Sequence, residues 1–196
     1  MHFLLMPFPK TRTGKGITTV MGQKRSPRES NKTQPHTKIL VVGVGNKARG
    51  DDGVGPFIAH ELTAKNLPKT LVTSHNGDGT SLMELWTDAQ TVILLDAASS
   101  GGQPGRIFRF NALRQRIPRS FFTYSTHNFG IAETLELART LGRLPACLII
   151  YGIEGKSFEE GTSLSPEVQR AATDVTKRVI REIYDRIGSH SISSRL

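Results

Sequence analysis

Three side chains far apart in this 196-residue chain have the types needed to share one divalent cation: Asp52, Asp96 and His127. Two carboxylates and an imidazole without any thiolate suit a borderline transition metal. Three protein ligands would leave coordination positions open for something else to enter. Each residue also has a structural reading. Asp51 or Asp52 stands where a helix N-cap would satisfy a free backbone N–H and favour the positive end of the dipole. Asp96 could form a turn at a strand end, and His127 could be a hydrogen-bonded loop histidine. His75, also expected at a strand end, competes as a ligand.

The elements that must position these groups are legible as alternating buried strands and amphipathic helices. In the stretch KILVVGVGNKARGDDGVG (Lys38–Gly55), an unbroken apolar strand over 39–42 runs into a turn at Gly43 and Gly45. Such a run suits a strand covered on both faces. Val54, Phe57, Ile58 and Leu62 recur at helical spacing and predict a helix from about Asp52 to Lys65. Further strands are expected over 70–74, 91–97 and 145–153, with an antiparallel edge strand over 106–110. Helices are expected over 80–89, over 129–141 with Asn128 as N-cap, and from Ser165-Pro166 onward, a capping hydroxyl followed by proline at the first helical position. The basic stretch 111–120 reads as an exposed connection. This alternation is that of an α/β domain with a mainly parallel sheet, in which the loops leaving the carboxyl ends of the strands converge on one crevice. Asp52, Asp96 and His127 all fall in or beside such loops.

Composition narrows the function classes. The net charge is +9, but residues 1–38 carry eight Lys and Arg against the single acid Glu29, which leaves only +2 for the remainder. The basicity therefore belongs to the leader and does not make the folded part a nucleic-acid binder. Residues 1–37 lack sustained periodicity and are read as a disordered basic leader, either a flexible tail or sequence upstream of a start at Met21. The opening apolar run has no preceding positive region and is broken by proline, which argues against a secretory signal. The single cysteine, Cys147, lies in an apolar strand and reads as core, and no disulfide framework is possible. No apolar run approaches the roughly 18 residues of a spanning helix. A cytoplasmic location and no membrane partner are expected. Gly43–Ala48 matches the permissive dinucleotide fingerprint, but two carboxylates stand where a pyrophosphate would sit, and no acid ends the second strand to hold a ribose.

GVGN followed by DDGVG, then LLDAASSG, STHNFGIAETLELARTLG and YGIEGKSFEEGTSLSPEV, occur in this order between about Lys38 and Ile187. Together they resemble the maturation proteases of nickel–iron hydrogenases. The resemblance implies a three-layer α/β/α sandwich, phosphorylase/hydrolase-like, over about residues 38–190. It also implies removal of a C-terminal peptide from the hydrogenase large-subunit precursor after nickel insertion. Nickel would be the metal, brought by the substrate, and Asp52, Asp96 and His127 its contacts, whether for recognition or to assist catalysis. Asn46 and Asp78 would contact substrate. Two departures stand out: Asp52 replaces the Glu of many relatives, and Gly77-Asp78-Gly79-Thr80 replaces the order Asp-Gly-Gly-Thr. There is no HExxH motif and no credible Ser or Cys nucleophile. Two other readings use the same residues: a non-enzymatic nickel-binding maturation factor, and an esterase resembling the peptidyl-tRNA hydrolases, which also open with a strand and G-x-G-N.

Overall fold

A computed structural model describes residues 39–118, 121, 122 and 130–193 of the protein. The leader and His127 lie outside the described residues. Five strands among them form one sheet: β1 (Ile39–Val44), β2 (Thr70–His75), β3 (Thr91–Ala98), β4 (Ile107–Asn111) and β5 (Cys147–Glu154). Their spatial order is β2-β1-β3-β5-β4, parallel throughout except for β4, which pairs antiparallel with β5 at one edge. The edge position of β4 agrees with its mixture of charged and apolar residues.

Period-two alternation divides the apolar side chains of the central strands between two layers. Ile39, Val41, Ile93, Leu95, Ile149 and Tyr151 pack on α1 (Val54–Thr63) and the long α4 (Pro166–Ser193). Leu40, Val42, Val92, Leu94, Leu148 and Ile150 face α2 (Gly79–Leu85) and α3 (Ile131–Thr140), where Leu82, Trp86, Ile131 and Leu135 complete the opposite core. The result is the mainly parallel sheet that the residue pattern predicts, in the α/β/α sandwich that the resemblance implies. Both faces of β1 and β3 are covered, which is why residues 39–44 and 92–95 run without a polar side chain.

The expected boundaries shift in informative places. The first helix does not begin at Asp52: a single 3-10 turn (Gly50–Gly53) precedes α1, whose N-cap is Gly53 with no side-chain cap. Neither Asp51 nor Asp52 caps a helix, because both carboxylates have partners elsewhere. The connection after β4 is only partly exposed, since Ala112 and Ile117 are buried against the α2–α3 layer. The third helix starts at Ile131 with Gly130 at its N-cap; Asn128 lies outside the described residues. Ser165 directly precedes α4, but its hydroxyl donates to Asp51 Oδ2.

Candidate active site

The site forms where β1 and β3 end side by side. Their parallel register pairs Gly43 with Leu95, so the chain leaving β1 passes beside Asp96. The start of α1 is pressed onto these two strand ends more closely than a side chain would permit. A Cβ on Gly55 would lie 2.3 Å from the carbonyl oxygens of both Leu95 and Val44. Gly45, at φ +131°, occupies a backbone region that favours glycine, and a Cβ there would lie 1.9 Å from the Asp52 carbonyl oxygen. The glycines of GVGN and DDGVG are therefore a packing device. They let the turn carrying Asp52 settle against the end of β3.

Asp52 and Asp96 are each only 8 % exposed. Asp52 Oδ2 accepts a hydrogen bond from the Asn46 N–H (3.0 Å), and Asp96 Oδ1 accepts one from the Ala97 N–H (2.8 Å). Among the described residues, no donor reaches Asp52 Oδ1 or Asp96 Oδ2. Burial raises the Asp96 carboxyl well above the usual carboxylate range, and the nearby charge of Asp52 raises it further against the opposing Ala97 hydrogen bond. Asp52 is also raised by burial, with the Asn46 N–H and the charge of Arg49 pulling the other way. Arg49 is half-buried, and its Nε has no acceptor among the described residues. Two buried carboxylates that repel each other and keep open lone pairs are a donor set suited to a cation. The described residues contain no complete group of three such ligands; His127, the third that the sequence analysis expects, belongs to the undescribed segment 123–129.

His75 takes a different role. Its Nδ1 accepts from the Gly77 N–H (3.0 Å), so Nε2 carries the proton and faces Ser81 Oγ at 3.1 Å. Ser81 Oγ in turn donates to Asp78 Oδ1 (2.6 Å). With both ring nitrogens engaged, no lone pair remains for a metal. Asp78 is the N-cap of α2, accepting from the Ser81 N–H at 3.0 Å. The Asn46 side chain accepts from the Ala48 N–H, while its backbone N–H serves Asp52. Asn46 also lines a groove of about 490 Å³ with Gly45, Lys47, Pro56, Ser74 and His75.

Two further buried acids hold the surrounding loops: Asp51, which the sequence offered as a helix N-cap, and Glu154, which it did not single out. Asp51, fully buried, accepts from the N–H groups of Lys156 (2.7 Å), Ser157 (3.0 Å) and Ser165 (2.6 Å) and from the Ser165 hydroxyl (3.0 Å). It thereby fastens the loop between β5 and α4. Glu154, 2 % exposed, accepts from the N–H groups of Ser100 (2.8 Å) and Gly102 (2.9 Å) and from the Ser100 hydroxyl (2.7 Å), fixing the loop that follows Asp96. For Glu154 the sequence signal was its place inside the motif block YGIEG; for Asp51 it was a place at a helix start, which pointed to a different role.

Residues 57–182 match a family profile described as hydrogenase maturation protease; the match takes in Asp96 and His127 and begins after Asp52. The hydrogenase 2 maturation protease of Escherichia coli K12 is 30% identical over 154 residues, covering 76% of this chain and 92% of that protein. The hydrogenase expression/formation protein HupD of Bradyrhizobium diazoefficiens is 31% identical over 140 residues, 67% of this chain and 70% of that one. Among solved structures, the hydrogenase maturating endopeptidase HybD from E. coli superimposes with a TM-score of 0.63 at 23% identity, covering 76% of this chain and 93% of the other. An E. coli endopeptidase solved in solution gives 0.63 at 27% identity, with coverage of 72% and 89%.

Proposed function

The chain belongs to the hydrogenase maturation protease family, and from that premise we propose that it removes a C-terminal peptide from the nickel-loaded large-subunit precursor of a nickel–iron hydrogenase. A protease role in hydrogenase maturation follows from the family. The nickel requirement, the precursor and the residues are the proposal.

The observation that carries it is the buried pair Asp52 and Asp96, placed close enough to repel and with a lone pair on each left open among the described residues. Such a pair is unfavourable alone and becomes favourable when a cation arrives between the carboxylates. Asp52 and Asp96, with His127 as third ligand, would take the nickel ion that the precursor brings with it. Bound there, the ion would supply recognition of the loaded precursor and, if the scissile carbonyl reaches it, Lewis-acid polarisation. The chain's own contribution is positional. The Gly45 turn and the Asn46 N–H fix Asp52, the Ala97 N–H fixes Asp96, and Glu154 holds the loop that follows.

The test is to incubate the protein with nickel-loaded and nickel-free precursor and to follow the mass of the large subunit. Shortening of the loaded form alone is expected. Equal cleavage of both would overturn nickel-dependent recognition, and retention of the tail in both would leave a non-enzymatic maturation factor.

A further inference from the structure

A second cavity, of about 260 Å³, lies beside the first groove and is built differently. Its walls are mainly apolar: Pro56 and Phe57 from α1 on one side, and on the other Leu164 from the β5–α4 loop, beside Thr162 and Ser163. Lys47 and His60 stand at its edge, both exposed, and neither has an ion-pair partner among the described residues. Among the described residues, no carboxylate lines it.

We propose that this cavity is a specificity pocket that receives one large apolar side chain of the precursor's tail, with a neighbouring carboxylate of the same peptide facing Lys47. The inference rests on the processing function above and names the peptide chemistry which that function would select. Four observations support it. First, the volume lies below the roughly 300–1,000 Å³ of small-molecule and cofactor sites, and so suits a single side chain. Second, Lys47 and Pro56 also line the 490 Å³ groove that contains Asn46, whose N–H is bonded to Asp52. An extended peptide crossing Asn46 and Lys47 therefore passes from the carboxylate pair to the pocket. Third, the two walls are tied together: Asp51, next in the chain to the lining residue Gly50, accepts from the N–H groups of Ser157, early in the β5–α4 loop, and of Ser165, directly after Leu164. A pocket held by a buried carboxylate keeps its shape before the peptide arrives, which reduces the ordering cost of binding. Fourth, the exposed groups at the edge are an ammonium and an imidazole that always offers at least one N–H, so an acidic peptide is favoured over a basic one.

Three probe peptides test this on the full-length protein without metal: the free acids acetyl-Ala-Leu-Glu and acetyl-Ala-Ser-Glu, and the neutral acetyl-Ala-Leu-Gln-amide. Binding is followed by titration of nitrogen-labelled protein and by calorimetry. The Leu-Glu acid is expected to bind with shifts at the amides of Phe57, His60 and Leu164. The Ser-Glu acid should be at least tenfold weaker and the neutral peptide several-fold weaker. Lys47→Glu, at an exposed position, should weaken the Leu-Glu acid several-fold and leave the neutral peptide unaffected. Phe57→Ala should weaken both leucine peptides. Equal affinity for the leucine and serine peptides, shifts confined to other surfaces, or indifference to Lys47→Glu would overturn the proposal. Because no cleavage and no nickel enter the measurement, the pocket can fail while precursor processing stands, and the reverse.

Discussion

Replacing Asp51 by Ala separates two neighbouring aspartates that the sequence presents as equivalents. The wild-type carboxylate accepts four hydrogen bonds, three of them from backbone N–H groups 105 to 114 residues away. Hydrogen bonds to a charged group contribute about 1.5–3 kcal/mol each, but the four are not independent. Once the carboxylate is gone, the loop can rise and let water reach the freed amides. Breaking a buried charged network in other proteins costs about 3–5 kcal/mol, and that is the expected loss here. For a domain of this size, about 2–4 °C of melting temperature goes with each kcal/mol, so the midpoint should fall by roughly 10 °C. The single tryptophan, Trp86, is 1 % exposed and reports unfolding by fluorescence. Hydrogen exchange at Lys156, Ser157 and Ser165 reports the local release. Asp52→Ala is the control: it gives up one hydrogen bond and relieves the repulsion with Asp96, so its midpoint should stay the same or rise. A melting point for Asp51→Ala within about 2 °C of wild type, with those three amides still protected, would refute the assignment. So would equal losses for the two variants.

Further expectations follow from the same geometry. Asp96→Asn keeps an acceptor for the Ala97 N–H and removes a charge whose folded pKa is raised. Between the ordinary carboxylate range and that raised value the folded state binds more protons than the unfolded one, so wild-type stability falls as pH rises through this window, at no more than about 1.4 kcal/mol per pH unit for the one group. The variant should be more stable than wild type at neutral pH and show a flatter stability profile in urea melts from pH 4 to 8. Arg49→Ala removes the cation that lowers the Asp52 pKa, so the acid limb of precursor processing should move to higher pH; a limb that stays put or moves down would contradict this. Gly55→Ala forces a Cβ to 2.3 Å from two backbone oxygens that cannot move independently, and loss of soluble folded protein is expected on expression. His127→Ala should abolish processing with an unchanged circular dichroism spectrum; retained processing would remove it from the site.

Strand and helix positions were legible because the sheet is covered on both faces. The sequences of β1, β3 and β5 run apolar, and α1 and α4 carry period-3.6 stripes that match the buried residues. Asp96 was legible for the same reason, as the first polar side chain after four consecutive apolar residues, 92–95. What the sequence did not carry was the division of labour between Asp51 and Asp52. Adjacent side chains point in different directions, and which of them meets the loop at 156–165 depends on packing more than a hundred residues away. Asp78 shows the converse. Its resemblance-based assignment to substrate contact meets a local use, since an aspartate three residues before Ser81 is an effective N-cap. His75 likewise left the list of ligands through a tautomer that only the Gly77 N–H and Ser81 hydroxyl define.

The carboxylate pair also bears on how an empty precursor would be refused. An unpaired buried charge costs roughly several kcal/mol after relaxation, and the pair meets part of this cost by holding protons more tightly than exposed carboxylates do. Docking a precursor over the groove would strip away the remaining solvent. Without an ion, the two charges would then either repel in a drier site or take up protons, and both disfavour the complex. With an ion, the same desolvation strengthens the attraction, because Coulomb energy rises as the local dielectric falls. On the proposed function, the discrimination would therefore grow with how completely the partner covers the site, and it would need no steric gate. It carries a signature: docking of the loaded precursor should release protons, and docking of the empty one should take them up or fail. Calorimetry in two buffers of different ionisation enthalpy distinguishes these cases. Proton uptake on binding the loaded form would show that the carboxylates are not where the ion is received.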